Sequence, residues 1–177
     1  MNNSHQDLIK KLEQVEIFLL DVDGVLTDGN IIYNDDGIET KAFNVKDGLG
    51  IRLLESAGIK TVIITGRSSK ALLHRCEDLG ISEIFDGVTR KAPVLDIILS
   101  KFKIQPEQTA FMGDDLPDLP LMDLVGLPIA VADAHEAVRQ KAHMVTAAKG
   151  GKGAVREVCE SILKAKNVWE RALGRFE

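Results

Sequence analysis

The chain has 177 residues, 45% of them apolar and 28% charged, which suits one domain with a full hydrophobic core. Its formal net charge of −5 argues against a nucleic acid or an anionic membrane as partner, and 5% aromatic residues argue against a ligand held mainly by stacking. Cys76 and Cys159 form no CxxC pair, the opening MNNSHQDLIKKLEQVE lacks a signal peptide's apolar segment, and no apolar run is long enough for a bilayer, so free thiols in a reducing cytoplasm are expected.

In chain order, Leu8, Leu12 and Val15 fall at helical spacing, a short leading helix over 7–15. EIFLLDV (16–22) is a continuous apolar run, a buried strand. NIIYNDDGIETKAF (30–43) is two β-prone runs about Asn34-Asp35-Asp36-Gly37, a hairpin signal. A helix over 47–58 closes at Gly58, and IKTVIIT (59–65) is a second buried strand. The next helix, 68–80, begins at a Ser cap and ends on Gly80. A short strand (82–87) precedes a helix over 91–102 with Pro93 in its first turn, where its missing N–H costs nothing. Then come a strand (108–114), a helix with early prolines (116–126), a strand (127–133), a helix (135–142), a strand (143–146) and a closing helix (153–166). NVWERALGRFE, about 167–177, either prolongs that helix or trails as a tail.

Alternating helices and continuous apolar strands predict an α/β fold, a doubly wound, mostly parallel sheet covered on both faces, in a single domain over 1–177. In such sheets ligands bind beyond the carboxyl ends of the strands. Asp21 and Asp23, Thr65-Gly66-Arg67, Lys91 and Gly113-Asp114-Asp115 all fall there, so the fold gathers residues far apart in sequence.

Residues at i, i+2 of an extended segment point the same way, so Asp21 and Asp23 share one pocket, which Asp114 joins. Clustered carboxylates repel one another and need a cation; an all-oxygen set without His or Cys suits Mg²⁺ bound together with a phosphate. Thr65 and Lys91 complete a phosphate cradle. One carboxylate can attack phosphorus and form an aspartyl phosphate while the other protonates the leaving oxygen and then deprotonates water; Asp21 is assigned the first role and Asp23 the second.

Asp-x-Asp-Gly also opens calcium loops, but Val25 and Ile32 stand where an EF-hand needs oxygen ligands. KGGKGA (149–154) lacks phosphate-loop spacing and reads as a flexible approach to a helix; His5, His74, His135 and His143 are scattered and read as surface or capping residues. A phospho-signalling receiver domain also uses an acidic Mg²⁺ pocket. It places its phosphorylated Asp at strand three, where Asp86 is a poor match, and has no counterpart of Asp23.

The four clusters resemble, in order and spacing, the motifs of the haloacid dehalogenase superfamily: Asp21-Val22-Asp23-Gly24, Thr65, Lys91 and Gly113-Asp114-Asp115. The stretches DVDGVLTDG, FNVKDGLGI, ITGRSS, GDDLPD, VADAH and GGKGAVREVCE are similar, more narrowly, to the 3-deoxy-D-manno-octulosonate 8-phosphate phosphatases of lipopolysaccharide sugar synthesis. The resemblance implies a Rossmann-like core and a sugar-acid phosphate as substrate. It implies Mg²⁺ held by Asp21, the backbone carbonyl of Asp23, and Asp114, with Asp115 beside them. Substrate contacts would fall on Asp23, Asn44, Val45, Lys46, Asp47, Gly48, Arg52, Gly66, Arg67, Arg75 and Lys91. Phosphatases of nine-carbon sialic-type acids share most of these stretches, and composition does not separate the two. VTRK before Lys91 departs from relatives with a polar pair there, so Arg90 either adds charge near the site or faces solvent. There is no room for a cap domain, and a hairpin over about 30–43 cannot exclude water alone. A neighbouring subunit is therefore expected to act as lid, through hairpins and C-terminal tails, and the resemblance implies that the assembly is a homotetramer.

Overall fold

Ile17–Leu20 forms β1, whose four side chains are all buried, as a strand covered on both faces requires. In the computed structural model, which describes residues 3–174, β1 lies at the centre of a six-stranded sheet. On one side it pairs with β4 (Lys60–Ile64), which pairs with β5 (Glu83–Phe85); on the other it pairs with β6 (Thr109–Gly113), followed by β7 (Leu127–Ala130) and β8 (Met144–Val145). Every pairing in this sheet is parallel. The chain runs outward from β1 to β5, then returns to β6 on the far side of β1. The ends of β1, β4 and β6 thus flank the switch point where a crevice opens. Leu20 registers with Ile63 and Met112, so Asp21, Thr65 and Asp114 emerge side by side.

The helices form two groups. α2 (Val45–Ser56) packs on α7 (Ala154–Ala165) and α3 (Lys70–Leu79), and α1 (Asn3–Gln14) also packs on α7. α5 (Leu119–Met122) packs on α4 (Ala92–Phe102) and α6 (Glu136–Lys141). Right-handed crossovers place the groups on opposite faces of the sheet. Phe18 and Phe111 are fully buried between them, each worth about 1.5–3 kcal/mol of apolar burial.

β2 (Ile32–Tyr33) and β3 (Glu39–Thr40) make the expected hairpin as a separate antiparallel pair. Asn34 Oδ1 accepts from the Asp36 and Ile38 N–H groups at 3.1 and 2.8 Å, and Gly37 supplies the left-handed residue with φ 73°.

Four local readings change. The segment 116–126 is not one helix: Leu116–Asp118 is a 3₁₀ turn and α5 is a single short turn, because prolines follow each other through it. A serine, Ser69, stands at the N-cap of α3 as expected, but its hydroxyl makes no cap bond. Gly150 and Gly151 of KGGKGA are packed rather than flexible: a Cβ on Gly150 would lie 1.7 Å from the Gly24 carbonyl oxygen, and Gly151 N–H donates to Val25 O at 2.9 Å. The tail neither prolongs α7 nor trails: Asn167 turns left-handed at φ 57°, and α8 (Trp169–Leu173) folds back, burying Ala172. Trp169 lies under the Lys164 ammonium at 5.1 Å. Residues 175–177 lie outside the described residues.

Candidate active site

The switch-point crevice is a cleft of ≈ 510 Å³ lined by Asp21, Asp23, Thr65, Arg67, Lys91 and Asp114, among others. Its floor is built on Lys91, the residue before α4, whose side chain is buried. Its ammonium donates to Asp21 Oδ1 at 2.9 Å and to Asp118 Oδ1 at 2.6 Å. The other Asp118 oxygen accepts from the Asp114 and Asp115 N–H groups at 2.9 and 3.3 Å. Asp118 thereby fixes both the lysine and the turn that presents Asp114.

Two glycines make this packing possible. Gly24 has φ 92°, and a Cβ there would lie 2.1 Å from Asp114 Oδ2; a Cβ on Gly113 would lie 2.4 Å from Asp118 Oδ2.

The floor carries an unbalanced negative charge. Carboxylate oxygens of Asp21, Asp114 and Asp118 lie within 4.8 Å of one another against the single Lys91 ammonium. Burial, reinforced by the charges of Asp21, Asp118 and Asp115, pushes the Asp114 carboxyl up to about 8. Burial raises Asp21 to about 6, with Lys91 opposing and Asp118 adding to the rise. Burial pulls Lys91 down, but Asp21 and Asp118 more than offset it and its net shift is upward. Asp114 Oδ1 is buried with no hydrogen-bond partner. An orphaned carboxylate oxygen among raised carboxyls fits a cation, and its oxygen-only donors fit a hard one such as Mg²⁺. Both oxygens of Asp118 are already committed, so Asp21 and Asp114 are the better ligands.

The wall is built differently. Asp23 receives the Lys41 ammonium on Oδ1, and Arg67 Nε lies 3.7 Å from its Oδ2. Glu39 bridges the two cations: its Oε1 lies 2.9 Å from the Lys41 ammonium as an ion pair, and its Oε2 accepts from Arg67 Nη2 at 2.7 Å. Tyr33 OH accepts from Arg67 at 2.9 Å. Hydrogen bonds from Arg67 first, then Lys41, hold the Glu39 carboxyl down to about 2. Thr65 is buried beside this wall, its hydroxyl accepting from Arg67 N–H at 3.4 Å.

The structure thus gathers Asp21, Asp23, Thr65, Gly66, Arg67, Lys91, Asp114 and Asp115 around one cleft. Asp115 is exposed and caps the following turn, accepting from Leu116 N–H at 2.8 Å. Asn44, Val45, Lys46, Asp47, Gly48, Arg52 and Arg75 do not line this cleft. Asn44 caps α2. Asp47 is buried and accepts from the Gly153 and Arg156 N–H groups at 3.3 and 2.8 Å, joining α2 to the start of α7. Arg75 donates to Asn44 O at 3.3 Å, and Arg52 to Asp78 O. Val45 and Lys46 face solvent, as do Arg90 and the Gly66 backbone. Asp86, the residue a receiver domain would phosphorylate, is not among the cleft residues.

Four residues of this network escape sequence reasoning: Asp118, Lys41, Glu39 and Tyr33. Asp118 carried a signal, standing four residues after Asp114 in a proline-rich turn that folds back on it. The hairpin residues carried none, since only the tertiary fold brings them to Asp23.

Residues 78–158 match the family described as haloacid dehalogenase-like hydrolase. The chain is 48% identical to 3-deoxy-D-manno-octulosonate 8-phosphate phosphatase KdsC of Yersinia pestis, over 95% of this chain and 90% of that protein. Its structure is similar to that of the corresponding phosphatase from Moraxella catarrhalis in complex with magnesium, phosphate and KDO, with TM-score 0.94 and 44% identity, covering 97% of this chain and 99% of the other. It is also similar to the cobalt-bound Haemophilus influenzae phosphatase, with TM-score 0.89 and 40% identity, covering 94% and 99%. A cleft floored by carboxylates, in a chain whose sequence and structure follow these relatives across nearly its whole length, leads to one conclusion: this chain belongs to the haloacid dehalogenase-like hydrolases and, within them, to the family of the 3-deoxy-D-manno-octulosonate 8-phosphate phosphatases.

Proposed function

We propose that the chain is a Mg²⁺-dependent phosphatase that hydrolyses 3-deoxy-D-manno-octulosonate 8-phosphate to the free sugar acid and phosphate, within lipopolysaccharide sugar synthesis. The observation that carries this reading is the meeting of Asp21, Asp23, Thr65, Lys91 and Asp114 in one cleft of a chain so similar to enzymes of that name.

Asp21, the main-chain carbonyl of Asp23, and Asp114 are the groups that would hold Mg²⁺. When bound, the ion offsets the repulsion between floor and phosphate, which for one charge pair at 4 Å is roughly 4 kcal/mol at an effective dielectric near 20. The carboxylate of Asp21 attacks phosphorus, the bond to the sugar oxygen breaks, and Asp23 gives that oxygen its proton. In the second half Asp23 takes a proton from water, the water oxygen attacks phosphorus, and the Asp21–phosphorus bond breaks. Lys91 keeps Asp21 oriented and stabilises phosphoryl charge, Thr65 donates to a phosphoryl oxygen, and Arg67 presents a guanidinium fork to the substrate carboxylate.

The working form is a homotetramer in which a neighbour covers the cleft. Ile32, Tyr33, Ile38 and Val45 support this: all are large apolar residues left exposed on and beside the hairpin. The substrate contacts assigned to Asn44–Gly48, Arg52 and Arg75 belong to that assembled state. Two buried free thiols, Cys76 and Cys159, support a reducing cytoplasm.

The test is phosphate release over a panel of sugar phosphates, with Mg²⁺ and with chelator. Release fastest from the eight-carbon acid, and only with metal, is expected. Equal rates on simple phosphates or on a nine-carbon acid phosphate overturn the specificity, and metal-independent release overturns the mechanism. Sedimentation with parallel activity measurement tests the assembly; a fully active monomer overturns the lid.

A further inference from the structure

Lys41 leaves the hairpin just after β3, yet its side chain is only 2% exposed. An ammonium is not buried without partners, because desolvation costs several kcal/mol. Its partners are Asp23 Oδ1 and Glu39 Oε1. Arg67 closes the circuit by bonding Glu39 and standing 3.7 Å from Asp23 Oδ2. With Asp23 in its ionised form, as after it has given up its proton, the four groups are electrically neutral together and the wall needs no further ion.

The two oxygens of Asp23 are left unequal by this arrangement. Oδ1 is tied to Lys41, whereas Oδ2 is buried without a hydrogen-bond partner. A carboxyl that must meet the leaving oxygen and later a water needs one oxygen free and its rotation stopped. Asp23 carries both features, and the hairpin supplies the stop. A loosely held acid loses rate steeply, since geometry comes before pKa in proton transfer.

We propose that Lys41 is a positioning residue for proton transfer: it anchors Asp23 Oδ1 and so reserves Oδ2 for the leaving oxygen. The proposal rests on the acid/base role given to Asp23 above. Glu39 acts one step further out, holding Lys41 and Arg67 on either side of that carboxyl. The hairpin therefore completes the site of its own chain, independently of any neighbour it covers.

The test exploits leaving-group chemistry. An alkyl sugar phosphate needs a proton on its leaving oxygen, whereas p-nitrophenyl phosphate, with an acidic phenol, does not. In the Mg²⁺-loaded enzyme, Lys41→Gln should lower kcat for 3-deoxy-D-manno-octulosonate 8-phosphate by ~10²-fold, the lower end of general acid–base contributions, with KM little changed. The loss on p-nitrophenyl phosphate should stay below ~5-fold. Lys41→Arg, which keeps the charge, should recover most of the difference. Should Lys41→Gln fold poorly, Glu39→Gln serves instead and should show the same selectivity at smaller size. Equal loss on both substrates in these variants, while Asp23→Asn still discriminates between them, overturns the positioning role alone. An Asp23→Asn enzyme that does not discriminate overturns the acid/base role and this inference with it.

Discussion

The floor and the wall of the cleft use the same residue types to opposite ends. On the floor, Asp21, Asp114 and Asp118 face one ammonium, Lys91, and the carboxyls of Asp114 and Asp21 are pushed up to about 8 and about 6. On the wall, Asp23 and Glu39 face Lys41 and Arg67, and Glu39 is held down to about 2. The wall is balanced by its own chain and can be rigid without help. The floor is left in deficit and can be completed only from outside, by a cation that then draws a phosphate. Substitutions that exchange the two conditions test the contrast.

The largest effect is expected at the floor's reacting residue. Asp21→Asn keeps the shape and the Lys91 contact but removes the nucleophile, and turnover should fall by more than ~10⁴-fold, about 5 kcal/mol or more of barrier. Phosphate release under saturating Mg²⁺ measures it. Residual activity within tenfold of the parent would move the nucleophile to another carboxylate.

Asp118→Ala comes next. It strips a buried ammonium of its 2.6 Å partner and leaves the N–H groups of Asp114 and Asp115 without an acceptor. Breaking a buried pair in this way costs about 3 kcal/mol or more. Urea unfolding should show it, and kcat should fall as well because Lys91 and Asp114 lose their common brace. Asp118→Asn retains one acceptor oxygen and should fall between the two.

What the sequence made legible follows from what is local. Asp21, Asp23, Thr65 and Asp114 were found because each closes an apolar strand, and strand ends are set by runs of a few residues. Lys91 was found because it opens a helix facing the same end. Lys41 and Glu39 were not, because a charged hairpin looks the same whether it faces water or folds onto an aspartate. The packing role of Asp47 was hidden for a related reason. The residue stands in a stretch shared with relatives, but its carboxylate is spent on the first turn of α7, a contact made 106 and 109 positions away. The short α8 was undecided because one left-handed residue, Asn167, determines its direction.

The two regions should also respond oppositely to acid. A carboxyl raised in the folded state lends stability below its unfolded value that is lost as pH rises through the folded one. For Asp114 that window runs from 3.8 to about 8. Metal-free enzyme should therefore lose more of its melting temperature across this range than metal-free Asp114→Asn, by roughly 5 °C. Mg²⁺ should remove the difference. Glu39 behaves in reverse: its contribution is complete above 4.5 and is lost as pH falls through about 2. Thermal melts of the parent, Asp114→Asn and Glu39→Gln over pH, with and without Mg²⁺, check both signs. A parent whose metal-free melting temperature gains on Asp114→Asn as pH rises contradicts the deficit on the floor.

The smallest effect is expected where the wall meets solvent. Tyr33 is 57% exposed, and its hydroxyl accepts one hydrogen bond from Arg67. Water can replace that bond, and Arg67 keeps its stronger tie to Glu39 at 2.7 Å. Tyr33→Phe should therefore cost no more than about 1 kcal/mol, below ~5-fold in kcat/KM. Glu39→Gln, which weakens the tie to both cations, should cost more. If Tyr33→Phe proves the costlier of the two, the wall is held from its rim. The hydroxyl would then be meeting substrate or a neighbouring subunit, and the balance among Asp23, Glu39, Lys41 and Arg67 would not be what keeps the wall in place.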